Sequence, residues 1–253
     1  MRQDAVTDTR PTLIPPRFVL PLLGLLVVLG AIQRLPGIGR SFGHDELFTI
    51  SFFATRSFVD ILSGYDLPNN HILHTLCVRV VQSLFGETEW LMRLPALLAG
   101  LAAIPALYWF ARRLTGAPTV GLFAALLLAG HHLHISFSQA ARGYTLLALL
   151  GILYAGLLWL GLTRVFTRQA RQAHSQKAVE GIGAPDAETN NDTWIWVGVA
   201  LTGSLATLTL PSATLLIGAG TIGALLMIRR LSTSTRRTAL VPLILATLVI
   251  AVH

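Results

Sequence analysis

Charged residues and cysteine are what this chain has least of. Only 12% of its 253 residues are Asp, Glu, Lys or Arg, against roughly 25% in soluble domains. Hydrophobic residues make up 53% of the chain and the mean hydropathy is +0.63, which predicts an integral membrane protein. The single cysteine, Cys77, excludes a disulfide framework within the chain and a cysteine-based metal site.

The basic residues indicate an orientation in the bilayer rather than a nucleic-acid partner. Although the formal charge is +7, they cluster in short loops between apolar runs, as the positive-inside rule describes. If the tail 1–17 is cytoplasmic, the basic groups at 112–113, 164–177 and 229–237 also lie inside. The basic residues that remain outside are Arg34, Arg40, Arg56, Arg79, Arg93 and Arg142.

The apolar runs predict an all-α, polytopic transmembrane helix bundle of about seven spans. The first resembles a signal peptide, but no clear cleavage site follows it, so we expect an uncleaved helix. A polar segment at 164–192 is expected to be a mobile cytoplasmic linker, and further transmembrane helices fill 193–253. Because the last run stops at His253 without a polar tail, we expect a chain truncated at its C-terminus. The predicted spans are 18–35, 90–111, 118–137, 144–163, 193–210, 212–228 and from 238 onward.

Segment 71–86 is apolar on one side only. Its sixteen residues rise about 24 Å as a helix, which is less than the roughly 30 Å of a hydrocarbon layer. Its polar face carries His74, Thr75, Arg79, Gln82 and Ser83. We therefore predict an amphipathic helix on the membrane surface, inside a long outer loop at 36–89. Counting it as a span would reverse every later loop and place the basic run 164–177 outside.

Polar residues with chemical potential collect on the outer side of this layout. Asp45 and Glu46 lie just beyond the first span, where carboxylates are costly and are seldom kept without a use. Arg142 lies at the membrane boundary, and its planar guanidinium suits a phosphate. A carboxylate nearby suits proton removal from a hydroxyl or an amine. From the residues alone, several unrelated chemistries fit these parts.

Four motifs carry a family resemblance. They are Gly-His-Asp-Glu (43–46), Asn-Asn-His (69–71), Leu-Phe-Gly-Glu-Thr-Glu-Trp-Leu-Met-Arg-Leu-Pro (84–95) and Ser-Gln-Ala-Ala-Arg-Gly-Tyr (138–144). In this order the chain resembles the GT-C glycosyltransferases, in particular the bacterial branch akin to protein mannosyltransferases and the aminoarabinose transferase of lipid A. The resemblance covers about residues 18–165, so 18–163 is predicted to be the catalytic transmembrane module.

The resemblance implies inverting transfer of a hexose or pentose from a polyprenyl-phosphate donor. It also implies a multi-pass inner-membrane protein whose N-terminus is cytoplasmic and whose site is extracytoplasmic. Asp45 would be the catalytic carboxylate and Glu46 its support or a second base. Arg142 would bind the carrier phosphate, and Arg93 would brace the outer loop. The remaining expected substrate-binding residues are His71, Asn70, Gln139 and Tyr144.

The chain departs from the family pattern at two of these motifs. Ile72 stands where family members commonly have proline after the histidine, and Ala140 stands where they often have glutamate. We expect no resident cofactor, since only Asp45 and Glu46 offer oxygen ligands for a divalent metal. His131, His132 and His134 have no carboxylate partner in their segment, so they favour no zinc site.

Two other functions fit the composition. A lipid-linked sugar transporter or flippase would need ionisable groups deep in its spans, and these spans carry almost none. A non-catalytic remnant that binds lipid stays open because the chain is about half the length usual for the family.

Overall fold

The computed structural model describes residues 14–63, 70–178 and 192–229, with a few positions between 240 and 247. The backbone of 172–178 is included, but the side chains there are not. Most of the seventh predicted span, the end of the linker, the start of the N-terminal tail and Asn69 lie outside these ranges.

All regular structure in the described residues is helical, and no strand occurs among them. Ten α-helices are defined, with a π-helical turn at Phe48–Phe53 between the second and third. They are α1 (Pro16–Arg34), α2 (His44–Leu47), α3 (Phe58–Ser63), α4 (Ile72–Phe85), α5 (Glu89–Thr115), α6 (Pro118–Gly130), α7 (His132–Ser138), α8 (Tyr144–Ala178), α9 (Thr193–Thr209) and α10 (Ala213–Ile228). The predicted all-α membrane bundle is confirmed in this part of the chain.

Three of these helices, α1, α5 and α8, are long and apolar enough to cross a membrane. The pair α6 and α7 would make a fourth span, although the two are bent by 62° at His131. The expected single span 118–137 is therefore broken. Shorter apolar helices, α9 and α10, occupy the fifth and sixth predicted spans.

Helix α8 is longer than its predicted span. It begins at Tyr144 and continues to Ala178, into the segment expected to be a linker. In that extension Arg164 and Arg168 each pair with Asp192, which precedes α9, at 2.6 Å. The polar residues 164–178 therefore continue α8, and two of its arginines contact the residue that precedes α9.

Two apolar clusters hold the bundle together. In the first, Tyr154 and Leu158 of α8 pack against Val199 of α9 and Ile217 of α10. The second joins α1, α5 and α6 through Leu23, Ile104, Tyr108, Leu122 and Ala125.

A third, smaller cluster lies under the outer loop. Ile50, Val78 and Met92 enclose Ala141, which lies in the short loop between α7 and α8. The two outer loops therefore share one core, although they are far apart in sequence. This core positions the candidate site.

Candidate active site

Glu46 and Arg93 form a buried ion pair at the base of the site. The Arg93 guanidinium is fully buried, and its Nε and Nη2 donate to the two carboxylate oxygens of Glu46 at 2.8 and 2.9 Å. This two-point geometry fixes both side chains. Arg93 also donates to three carbonyls of the preceding loop, those of Ile38, Arg40 and Ser41. These contacts tie the start of the first long loop to α5, as expected of a residue that braces that loop.

Glu46 also binds the second outer loop. Its carboxylate accepts backbone N–H bonds from Gly43 and from Ala141, both at 2.7 Å. Burial alone would raise the pKa of Glu46, but the hydrogen bonds from Arg93, Gly43 and Ala141 and the charge of Arg93 outweigh it and lower the pKa. Because both oxygens are occupied by protein donors, the geometry favours the supporting role over that of a second base.

Asp45 has different surroundings from its neighbour. Its side chain is 65% exposed, and its Oδ2 lies 3.6 Å from Nη1 of Arg142, whose side chain is 8% exposed. The acid and the guanidinium come from residues nearly a hundred positions apart. Since Asp45 is open to solvent and Arg142 is held beneath it, a ligand placed here would contact both.

Tyr144 keeps Arg142 in place. Nη2 of Arg142 donates to the Tyr144 hydroxyl at 3.2 Å, and the guanidinium lies 5.4 Å from the centre of the Tyr144 ring. Such stacking suits the flat, weakly hydrated guanidinium. The other edge of the Tyr144 ring meets His71, with ring centroids 4.9 Å apart in a T-shaped arrangement.

His71 is buried and neutral. Its Nδ1 accepts the backbone N–H of Gly143 at 2.8 Å. Burial and the nearby charge of Arg142 lower the pKa of His71 from 6.5 to about 4. With Nδ1 acting as acceptor, the single ring proton is on Nε2. His71 can therefore donate a hydrogen bond to a ligand but is poorly suited to act as a base.

The short loop is built too tightly for a side chain at Gly143. A Cβ there would lie 2.9 Å from Nδ1 of His71 and 2.9 Å from the Thr209 methyl group. This close approach is what lets the backbone N–H of Gly143 reach the imidazole.

Asn70 and Gln139 bind protein groups in this structure. Oδ1 of the buried Asn70 accepts from the Thr75 hydroxyl at 3.0 Å, inside the first turn of α4. Nε2 of Gln139 donates to the Arg34 carbonyl at 3.0 Å, which ties the short loop to the end of α1.

Sequence reasoning missed two buried groups near the site. His74 was assigned only to the polar face of α4, yet it is fully buried and neither ring nitrogen has a hydrogen-bond partner among the described residues. Burial, followed by the charge repulsion of its neighbours, lowers the pKa of His74 to about 3. Arg34 was counted only as an outer charge, and it too is fully buried. No sequence signal marks either as internal, because charge and polarity argue for exposure.

Two of the three histidines of the broken span have different partners. Nδ1 of His131 accepts the backbone N–H of His134, and Nδ1 of His134 contacts Arg34 at 2.9 Å. Among the described residues, no group of three His, Cys, Asp or Glu side chains could hold a metal ion.

Residues 69–183 match the family model of the dolichyl-phosphate-mannose-protein mannosyltransferases, a GT-C family. The matched region is similar in sequence to that family. The resemblance drawn from the motifs is thereby confirmed. No curated protein and no solved structure matches the chain.

The matched region covers α4 to α8 and so contains most of the expected site residues: Asn70, His71, Gln139, Arg142 and Tyr144. It begins after Asp45 and Glu46. Those two acids contact the matched region through Arg142 and Arg93.

Proposed function

We propose that this protein transfers a sugar from a polyprenyl-phosphate donor to a hydroxyl or amine acceptor. The observation that carries the proposal is the pairing of an exposed acid, Asp45, with a buried guanidinium, Arg142, at 3.6 Å. Members of the matched family use lipid-linked sugar donors. A site with one base and one phosphate-binding cation at a membrane boundary is suited to such a donor.

The reaction breaks the bond between the anomeric carbon and the donor phosphate. The acceptor oxygen or nitrogen attacks that carbon while Asp45 takes the acceptor proton. The bonding electrons leave with the phosphate oxygen, and Arg142 stabilises the negative charge that develops there. Attack from the side opposite the phosphate inverts the anomeric centre. The sugar is a hexose or a pentose.

His71 and Tyr144 would assist at the phosphate. The Nε2–H of His71 is a neutral donor. The Tyr144 hydroxyl already accepts a hydrogen bond from Arg142, so its own O–H can be donated to the phosphate. Neither group adds charge, so the leaving group would be held mainly by Arg142. Glu46 and Arg93 keep the two loops together beneath the reacting groups.

An apolar groove beside the site favours a donor with a hydrocarbon tail. The groove has a cavity volume of about 580 Å³ and runs between α4, α5 and α8, whose first residues lie at the site. Its walls are apolar along their length, which suits an isoprenoid chain and excludes a hydrated ligand. The residues that line it are Leu76, Cys77, Val80, Val81, Leu94, Pro95, Leu98, Ala99, Ala102, Leu146 and Leu149.

The site faces the extracytoplasmic side of the inner membrane in this proposal, and the N-terminus is cytoplasmic. The distribution of arginine supports this orientation, because Arg112 and Arg113 lie at the end of α5 opposite the site and the basic extension of α8 lies on the same side as they do.

The test is transfer in membranes supplied with labelled polyprenyl-phosphate sugars. We expect Asp45→Asn to lower kcat by about a hundredfold or more, because a positioned base is removed while size is kept. The matched control is Asp60→Asn, an exposed outer-loop acid that accepts a hydrogen bond from the Ser57 hydroxyl. Equal rates for Asp45→Asn and the unsubstituted protein would refute the base assignment.

The phosphate role has a separate arm in the same assay. Arg142→Ala should raise the KM for the donor by about tenfold or more, since a charge-assisted contact to phosphate is lost. A donor KM that does not change would remove Arg142 from phosphate binding.

A further inference from the structure

Arg34 is the last residue of α1, and its side chain is fully buried. It contacts its own helix and two other parts of the fold, α6 and α7. Nη1 donates to the carbonyl of Gly30 at 2.8 Å and to that of Ala129 at 3.2 Å. Nε donates to the Ser138 hydroxyl at 3.1 Å, and Nη2 lies 2.9 Å from Nδ1 of His134.

None of these partners carries a negative charge. In the part of the chain that the structure describes, no carboxylate pairs with Arg34. The compensation comes from backbone carbonyls near helix ends, because Ala129 lies in the last turn of α6 and Gly30 lies one turn before the end of α1. The carbonyls at a helix C-terminus carry partial negative charge and attract a cation. A buried cation satisfied in this way is held to one position, since moving it would leave it uncompensated.

That position is the break between α6 and α7. Arg34 binds the last turn of α6 on one side of the break and two residues of α7 on the other. Ser138 in turn donates to the His134 carbonyl at 2.6 Å. Ser138 also lies directly against Gly100 of α5, where a Cβ would collide with its hydroxyl. The end of α7 is therefore fixed between α1 and α5.

The short outer loop starts at this fixed end. Gln139 follows Ser138 and donates to the backbone carbonyl of Arg34 itself. Within the next few residues, the Ala141 N–H reaches Glu46, Arg142 faces Asp45, and the Gly143 N–H reaches His71. Arg34 thus holds the residue from which the loop starts, and every group that the loop brings to the site follows that residue within a few positions.

We infer that Arg34 is a positioning residue: its guanidinium fixes the end of α7 so that loop 139–143 holds Arg142 at the donor phosphate. The structural half of this inference concerns the loop alone. The catalytic half rests on the proposed function. Two experiments separate them.

The first experiment is hydrogen–deuterium exchange on the full chain in detergent or nanodiscs. In Arg34→Gln, peptides covering residues 138–145 should exchange about tenfold faster, because the hydrogen bonds at Ala141 and Gly143 open more often. Peptides of α9 and α10 should not change. The control is Arg17→Gln, which removes an exposed arginine from the other end of the same helix.

Exchange at 138–145 that stays at the unsubstituted rate would overturn the inference, as would equal acceleration throughout the protein. If Arg34→Gln does not fold, Ser138→Ala removes only the hydroxyl that receives the Arg34 Nε and donates to His134. It should accelerate exchange in the same peptides to a smaller extent, and failure to do so would again count against Arg34.

The second experiment is a double-mutant cycle on kcat/KM for the donor. Arg34→Gln should lower this value by about tenfold in the unsubstituted protein, the equivalent of one displaced contact. In an Arg142→Ala background it should lower it by less than about twofold, since residues that act through one another are not additive. A purely structural arginine would cost the same factor in both backgrounds, and that result would overturn the catalytic half. If the unsubstituted protein transfers no sugar, the proposed function fails, and the exchange experiment decides on Arg34.

Discussion

Two adjacent acids, Asp45 and Glu46, show how much the surroundings of a carboxylate decide its role. The Glu46 side chain is 7% exposed and bound at both oxygens, whereas that of Asp45 is 65% exposed and lies 3.6 Å from the guanidinium of Arg142. They follow each other in the short helix α2, so their side chains leave it in different directions. In the proposed function, Glu46 holds the loops together and Asp45 meets the substrate.

The buried Glu46–Arg93 pair gives the first prediction. Glu46→Gln should lower the free energy of unfolding by about 3 kcal/mol or more, because Arg93 is left buried without a countercharge. Thermal unfolding in detergent measures this, with the exposed Glu87→Gln as control. In the double variant Glu46→Gln, Arg93→Met, the loss should be smaller than the sum of the single losses. Additive losses would mean that the two side chains do not stabilise each other.

The buried His71 gives the second prediction. Its pKa falls from 6.5 to about 4 on folding, so the folded protein disfavours the proton that the unfolded chain accepts. The stability tied to this group is complete above about pH 6.5 and is lost as the pH falls toward 4. In His71→Asn, the amide oxygen can still accept from Gly143, but nothing titrates.

Thermal midpoints measured across this range should therefore fall less steeply for His71→Asn than for the unsubstituted protein. His74 titrates in both proteins, so only the difference between the curves reports on His71. Parallel curves would show that His71 is not buried in its neutral form.

The sequence was informative about Asp45 and Arg142 and uninformative about Arg34. An acid just beyond the first span and an arginine at the next outer turn are unusual in so apolar a chain. Both residues also lie in motifs that carry the family resemblance. The burial of Arg34 depends instead on two helix ends meeting beside it, those of α1 and α6. Meeting points of helix ends are set by tertiary packing, which one sequence does not display.

At the scale of helices, the apolar runs predicted α5 and α8 but did not reveal the break in the third predicted span. Residues 118–137 are mostly apolar and carry no Asp, Glu, Lys or Arg, so a hydropathy profile treats them as one continuous span. The chain turns at His131 because its backbone is extended and its ring nitrogen caps the start of α7. A hydropathy profile averages over many residues, so it does not show a single helix cap inside an apolar run.

Helix α4 contacts the protein with its polar side. His74, Thr75 and Val78 are buried, while Leu84 and Phe85 are 68% and 64% exposed. In a membrane protein, exposed apolar side chains are compatible with lipid, so the helix agrees with the predicted amphipathic surface segment. The packing side was not predictable, because polarity alone does not tell water from a polar protein interior. This arrangement leaves the apolar side of α4 free to line the groove.

The groove gives the third prediction. Ala102 is exposed and lines it, so Ala102→Trp should fill part of the space without disturbing the core. We expect the KM for a long-chain polyprenyl donor to rise about tenfold, because roughly an isoprene unit of apolar contact is lost. The KM for a donor with a short isoprenyl chain should not change. Leu127→Trp, on the exposed side of α6, is the control. Equal changes for both donors would argue against a tail in the groove.

At the scale of the whole molecule, the order of the helices was predictable, but the number of spans was not. Of the described helices, three are long and apolar enough to cross a membrane, or four if the bent pair is one span. Spans were inferred from apolar length, and α9 and α10 fall at the predicted places as shorter helices of 17 and 16 residues. The family match ends at residue 183, before both. The prediction that α9 and α10 cross the bilayer rests on the distribution of basic residues, so their orientation should be tested.

The fourth prediction concerns that orientation. In a Cys77→Ala background the chain has no cysteine, so single cysteines can be placed at exposed positions 87, 113, 212 and 229. A membrane-impermeant maleimide applied to cells with a permeabilised outer membrane should label positions 87 and 212, which precede α5 and α10. Positions 113 and 229, at the far ends of these helices, should be labelled only after detergent. Position 87 labelled only after detergent would place the site in the cytoplasm. Positions 212 and 229 labelled from the same side would mean that α10 does not cross.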